Sequence, residues 1–214
     1  MKISFLCSDP THPVNNHLQK WIELNQEDHQ ITLARRKTEL PGGEILFLIS
    51  CSEIIGPKDR AAYGATLVLH ASDLPRGRGW SPHIWELVNG ADQITLSLLE
   101  AEDNVDSGRV WKKIKISIPK HALWDEINNL LFDAELSLIN FAIENNQVIK
   151  PVEQVGDIEP TYYPRRTPEH SKIDPQLSLA SQFDRIRVCD PQRFPAFFEL
   201  HGHRYKLTLE KIDE

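Results

Sequence analysis

His70 sits where the apolar run Ala65-Thr66-Leu67-Val68-Leu69 gives way to Ala71-Ser72-Asp73-Leu74-Pro75-Arg76-Gly77-Arg78-Gly79. An imidazole is the side chain best suited to exchanging a proton near neutral pH. The run before it reads as a buried parallel strand, and ligands of open α/β sheets bind just beyond the carboxyl ends of such strands. His70 is therefore in position to touch a substrate, although a lone histidine at a strand end is more often structural than catalytic. A second polar loop, Glu100-Ala101-Glu102-Asp103-Asn104-Val105-Asp106-Ser107-Gly108, joins the strand-like runs 94–99 and 114–118. Loop tips of this kind carry catalytic groups. By itself, Asp106 reads as a solvated turn residue, an Asx-type cap before Gly108.

Other side chains with chemical potential point elsewhere. Cys7, Cys51 and Cys189 have no metal-ligand spacing, and the first two lie in apolar runs. They read as buried reduced thiols of a cytoplasmic protein. His201-Gly202-His203 would put two imidazoles on one face of a strand, but no third ligand is evident and no metal is expected. The turn Ser8-Asp9-Pro10-Thr11-His12 lacks the glycines of a dinucleotide fingerprint or a P-loop. A net charge of -7 disfavours nucleic acid as a partner, while a local basic pocket for a phosphorylated small molecule stays open. No apolar run approaches a membrane span, and residues 1–7 are too soon interrupted to be a signal peptide.

The elements that must position His70 alternate between strand and helix over the first two-thirds of the 214 residues, which implies a largely parallel sheet. Strands are expected to end at Cys7, to cover 31–34 and 44–50, and to lead into His70. Val14, Leu18, Trp21 and Ile22 recur at helical spacing after Pro13. Residues 81–90 form a short helix with a Ser81 cap, Pro82 in its first turn and Gly90 at its end. Residues 122–145 form a long helix packed on the sheet through Leu123, Ile127, Leu130, Leu131, Leu138 and Phe141. Five prolines between Pro151 and Pro175 mark an irregular appendage, with a small β unit around 194–200 and 205–209.

His70-Ala71-Ser72-Asp73-Leu74-Pro75, then Arg78-Gly79, Ser81-Pro82, Trp85, Asn89-Gly90, Thr95-Leu96 and Val105-Asp106-Ser107-Gly108-Arg109-Val110, resemble the signature of the folate-dependent formyltransferases. The segments come in that family's order. Tyr163-Pro164-Arg165-Arg166-Thr167-Pro168, with Ile186-Arg187 and Phe194-Pro195-Ala196-Phe197, is similar to the extension of its sugar-nucleotide and tRNA branches. The resemblance implies an α/β fold with a Rossmann-like formyltransferase sheet, helices on both faces and a small C-terminal extension with some β structure. Residues 1–150 would be the catalytic domain and 151–214 the extension.

The implied activity moves a formyl group from N10-formyltetrahydrofolate to a primary amine. His70 matches the family's catalytic histidine, suited to hydrogen-bond a developing oxyanion, and Asp106 matches its catalytic aspartate, suited to accept the amine's proton. The family's usual Asn two residues before the histidine is Val68 here. Loss of one oxyanion donor costs roughly 2.7 to 4 kcal/mol when nothing replaces it, and Ser72, a backbone N–H near Arg78-Gly79 or a water are the candidate replacements. For the folate, the resemblance maps to the loop bearing Ile54 and Ile55, with Asp106 at its edge; apolar walls suit a flat pterin, and ordinary packing is the alternative. Trp80 is a candidate pocket wall. Arg165 and Arg166 either hold phosphates of the acceptor or brace the appendage against acidic residues. The amino-sugar branch is the expected one, with a cytoplasmic enzyme that serves glycan or polysaccharide biosynthesis. A non-catalytic folate- or sugar-binding relative and a metal-dependent hydrolase are the alternatives. The acceptor's identity, any nucleotide it carries and the oligomeric state stay open.

Overall fold

A computed structural model describes residues 1–212. In chain order the elements are β1 (Lys2–Leu6), α1 (Val14–Asn25), β2 (Gln30–Ala34), β3 (Gly43–Leu48), α2 (Pro57–Arg60), β4 (Tyr63–His70), β5 (Arg78–Gly79) and α3 (Pro82–Val88). There follow β6 (Gln93–Glu100), β7 (Val110–Ser117), α4 (Trp124–Asn145), β8 (Tyr162–Tyr163), α5 (Leu179–Arg187), β9 (Ala196–Leu200) and β10 (His203–Leu207). Six strands make one sheet in the order β2-β1-β3-β4-β6-β7. The first four in that order are parallel, whereas β6 runs antiparallel to β4 and pairs antiparallel with β7. The sheet is thus mixed, and the hairpin expected at the acidic connector is its far edge.

Period-two alternation decides which face each side chain serves. Leu67, Leu69 and Ala71 join the large core shared with Val14, Leu18 and Trp21 of α1, Leu87 of α3 and Ile127, Leu131 and Leu138 of α4. Val68 packs on the opposite side with Leu46, Leu48 and Ile55, just ahead of α2. Two stripe positions of α4 differ from expectation. Leu130 is 37 % exposed, and Phe141 is half-buried with the Lys112 ammonium 4.1 Å from its ring centroid.

Ser81 does not cap α3. Its backbone is left-handed, with φ 47, and its side chain makes no cap hydrogen bond, because the chain turns sharply there out of the short β5. At the other end the expected stop holds, with Gly90 donating its N–H to Leu87. The β9–β10 hairpin turns through His201 and Gly202 at φ 49 and 78, the paired positive angles that a two-residue hairpin loop requires. His201 is therefore a turn residue and His203 opens a strand, so the two are not alternate residues of one face.

One residue of the α4 core has no counterpart in the hydrophobic pattern. Glu135 is 7 % exposed, and one of its carboxyl oxygens has no hydrogen-bond partner among the described residues. Burial pushes its carboxyl up to about 8 from an ordinary 4.5. Between those two values the native state holds a proton that the unfolded chain has lost, so stability falls as the pH rises through that window and levels off above it. Glu135→Gln should remove this slope and raise the melting temperature at pH 8, in unfolding curves recorded from pH 5 to 9. An unchanged pH profile in the variant would refute the assignment.

Candidate active site

β4 ends on His70, and the chain turns at once, with the Ser72 N–H donating to the His70 carbonyl at 3.0 Å. The loop folds back until the Gly77 carbonyl lies 2.8 Å from His70 Nε2. A carbonyl only accepts, so the hydrogen sits on Nε2 and Nδ1 is left to face the other side. There it meets Asp106 Oδ1 at 3.6 Å, with each side chain 8 % exposed. That separation exceeds a hydrogen bond, as catalytic pairs often do before substrate tightens them. Asp106 has φ 55, and its Oδ2 accepts from the Gly79 N–H at 2.9 Å. Thus the two carboxylate oxygens have different tasks: one is anchored to the His70 loop and the other faces the imidazole.

The pair is held by residues that nothing in the local sequence marks. Gln154 donates to the carbonyls of Asp106 (2.8 Å) and Gly108 (2.9 Å) and accepts from Arg78 at 2.7 Å. One side chain thereby ties the aspartate loop to the histidine loop. Thr161 takes the Gly77 N–H on its hydroxyl at 2.8 Å, and its carbonyl takes the Arg78 N–H at 2.9 Å. Lys113 reaches across from β7 to the Asp73 carboxylate at 2.7 Å and the Leu74 carbonyl at 2.5 Å. The preorganisation of His70 and Asp106 is therefore spread over segments up to 84 residues apart.

Ser72 lies directly beneath this layer. It is fully buried, its carbonyl accepts from Ser97 Oγ at 2.7 Å, and its own hydroxyl has no partner among the described residues. A Cβ placed on Gly77 would come within 2.9 Å of the Ser72 side chain, so the hydroxyl sits against the residue whose carbonyl holds His70. An orphaned buried hydroxyl is unfavourable for folding. Ser72→Ala should therefore leave the melting temperature unchanged or slightly higher while lowering turnover by about a hundred- to a thousandfold, the range of a lost transition-state hydrogen bond. Unaltered kcat in the alanine variant would remove Ser72 from the site.

The remaining candidates divide. Ile55 is buried beside Val68, whereas Ile54 is 78 % exposed and its carbonyl accepts from Lys37 at 3.2 Å. Trp80 is 44 % exposed, with the Arg165 guanidinium 5.1 Å from its ring centroid. Arg166 turns the other way, donating to Ser171 Oγ at 3.1 Å and lining a cleft with Phe194. Neither arginine pairs with a carboxylate among the described residues, so neither braces the appendage against an acid. Trp85, by contrast, is packed: it stacks on Tyr163 and donates to the Pro164 carbonyl at 3.1 Å. Among the described residues no three His, Cys, Asp or Glu side chains converge as metal ligands.

No protein-family profile matches the chain. A curated methionyl-tRNA formyltransferase of Pediococcus pentosaceus is 27 % identical over 149 residues, which are 67 % of this chain and 45 % of that protein. The chain spans about half the length of the curated relatives it matches. A solved methionyl-tRNA formyltransferase from Clostridium thermocellum superposes with a TM-score of 0.78 at 24 % identity, over 100 % of this chain and 94 % of the other. The fold is the formyltransferase fold. HypX from Aquifex aeolicus, solved in complex with tetrahydrofolic acid, superposes at 0.79 with 21 % identity, over 95 % of this chain and 36 % of its own. A sugar N-formyltransferase from Shewanella superposes at 0.70 with 13 % identity over 100 % and 99 % of the two chains. Within the formyltransferase fold of this chain, His70 and Val68 leave the same face of β4, so the valine side chain stands on the side from which a donor would act. No helix among the described residues is long and apolar enough to cross a membrane.

Proposed function

We propose that this chain transfers a formyl group from N10-formyltetrahydrofolate to the primary amine of an amino sugar, in the service of glycan or polysaccharide synthesis. In this reading residues 1–150 are the catalytic domain and 151–214 an extension. The observation that carries it is the buried His70–Asp106 pair at the strand end, with one carboxylate oxygen anchored and the other facing the imidazole. When bound, the folate would supply the formyl carbon. Ile55 and Val68 offer an apolar wall beside the pair, and the exposed Ile54 side chain is the kind of surface that a pterin face would cover. An amine that attacks a carbonyl must give up a proton while the carbonyl oxygen gains charge. Asp106 accepts that proton, directly or through a water, and the proton passes to N10 of the folate as the formyl carbon–N10 bond breaks. Because Nε2–H is held by the Gly77 carbonyl, it is from Nδ1, in the imidazolium form, that His70 donates to the oxygen. Ser72, with its unpartnered hydroxyl, supplies the donor that Val68 lacks. The sugar acceptor is favoured over tRNA by the net charge of -7 and by the resemblance of Arg165-Arg166-Thr167-Pro168 to the amino-sugar branch, while the fold matches accommodate either acceptor.

Purified protein supplied with N10-formyltetrahydrofolate and a panel of amino sugars, free and nucleotide-linked, should release tetrahydrofolate and a formamide. Absence of turnover across that panel would overturn the reading. Val68 favours one second reading, a relative that binds folate or sugar without transferring the formyl group. Calorimetry alongside the assay separates the two, because that relative shows binding with no product, and Val68→Asn would then gain transfer.

A further inference from the structure

Between the loop after β1, the start of α3, the first turns of α4 and the segment after α5 lies a cleft of about 100 Å³. His12, His83, Arg166, Arg193, Asp190 and Phe194 line it. It opens four residues beyond Gly79, whose N–H holds Asp106. The Phe194 ring is flanked by the Arg166 and Arg193 guanidiniums at 5.8 and 5.7 Å from its centroid.

The arginines around this cleft are not equally partnered. Arg193 is paired with Asp9 at 2.6 Å, and Asp190 is occupied in capping the N–H groups of Gln192 and Arg193 at 2.8 and 3.1 Å. Among the described residues Arg166 donates only to the Ser171 hydroxyl, which leaves most of its donors free there. His83 Nδ1 is buried and has no hydrogen-bond partner among the described residues. His12 differs, since both its nitrogens lie within hydrogen-bond reach of Ser50 Oγ, at 3.1 and 3.4 Å. Burial first, with Arg166 near His83 and Arg193 near His12, pushes His83 down to about 3 and His12 down to about 4, against the opposing pull of Asp9 and Asp190 on His12. Burial therefore keeps both imidazoles neutral, while among the described residues the Arg166 charge has no carboxylate partner and the buried His83 Nδ1 has no hydrogen-bond partner. Both deficits are answered by one kind of ligand. An anion would accept from the free Arg166 donors and from a proton on His83, and charge-assisted bonds to a guanidinium are the stronger class.

We propose that this cleft binds an anionic group of the acceptor substrate, a phosphate or a carboxylate, through Arg166 and His83, with Arg193 as the second cation. The anion's attachment to the acceptor rests on the formyl-transfer reading above; the anion site does not. An acceptor held there presents its amine toward the neighbouring His70–Asp106 pair, so neutral amino sugars are poor substrates and anionic ones good.

Titration calorimetry with inorganic pyrophosphate, uridine diphosphate and glucuronate tests the site directly. At least one probe should bind saturably, and Arg166→Gln and His83→Ala should each weaken it by about tenfold or more, the worth of a hydrogen bond to a charged group. Arg204→Gln, on the exposed hairpin, should leave binding unchanged, and thermal melts establish that each variant is folded. Tight pyrophosphate and uridine diphosphate binding identifies a phosphate source, and preference for glucuronate identifies a carboxylate. Binding by none of the probes, or binding unaffected by both variants, overturns the inference. A protein that binds the anion yet formylates nothing leaves the site standing and overturns the function. A protein that formylates a neutral amino sugar with the same KM before and after Arg166→Gln does the reverse.

Discussion

Asp106→Asn should lower formyl transfer by about a thousandfold, within the range of general acid–base contributions, with the fold intact. The amide keeps an oxygen to accept from the Gly79 N–H, now 2.9 Å from the carboxylate, so the loop stays anchored. What disappears is the proton acceptor facing His70 Nδ1 at 3.6 Å. The loss should fall on kcat with KM nearly unchanged, because the missing interaction is made while the amine gives up its proton and not when substrate binds. His70→Ala should cost a comparable factor but is the less clean variant. It strands the Gly77 carbonyl that now accepts from Nε2, and a buried group left unpaired costs about 1–3 kcal/mol of stability. The double variant should be little worse than the more damaged single one, since residues that act as a unit are far from additive. Formation of tetrahydrofolate measured under single-turnover conditions checks all three. An Asp106→Asn enzyme retaining more than about a hundredth of the parent rate would fall below the smallest effect expected of a general base and would place the proton acceptor elsewhere.

The two members of the His70–Asp106 pair were legible in the sequence, and the residues that hold them together were not. His70 is marked by an apolar strand breaking into Pro and Gly, α1 by apolar spacing after Pro13, and α3 by Pro82 and Gly90 at its ends. Asp106 becomes visible only through the order of motifs that the chain shares with the formyltransferases, because an aspartate in an acidic loop is otherwise unremarkable. Gln154, Thr161 and Lys113 carry no such signal. Their bonds to the site span from 39 to 84 residues, and a polar residue in an irregular segment looks the same whether it faces water or a distant carbonyl. Glu135 was hidden for the opposite reason, since a single carboxyl inside a helical stripe reads as a break in amphipathicity and not as a buried acid. Ser81 shows where a local rule is overruled by a neighbouring one: β5 pairs with β8, and the chain reaches Pro82 through a left-handed residue that cannot aim its hydroxyl at the helix.

Gly108→Ala should destabilise the protein by about 3 kcal/mol or more, the upper range of overpacking, and should abolish most of the activity that remains. A Cβ on Gly108 would stand 1.9 Å from the Glu100 carbonyl oxygen and 2.8 Å from its carbonyl carbon. Both are backbone atoms of β6, held in the ladder by the Glu100 N–H to the Arg109 carbonyl at 2.9 Å, so neither can swing away as a side-chain tip would. Relief has to come from moving the loop that returns from β6 to β7. That loop carries Asp106 two residues earlier, and its Gly108 carbonyl is one of the two that Gln154 holds. A displacement of about 1 Å at the reacting group is enough to cost roughly a hundredfold in rate. The melting temperature should fall by roughly 6–12 °C, as expected for a domain of this size, and kcat should fall further than Gln154→Ala lowers it, since that variant loosens the same loop without forcing it off the strand. Equal melting temperatures for parent and Gly108→Ala would mean that the loop can yield at no cost, and the rigid link from the strand edge through Gly108 to the Asp106 carboxylate would have to be abandoned.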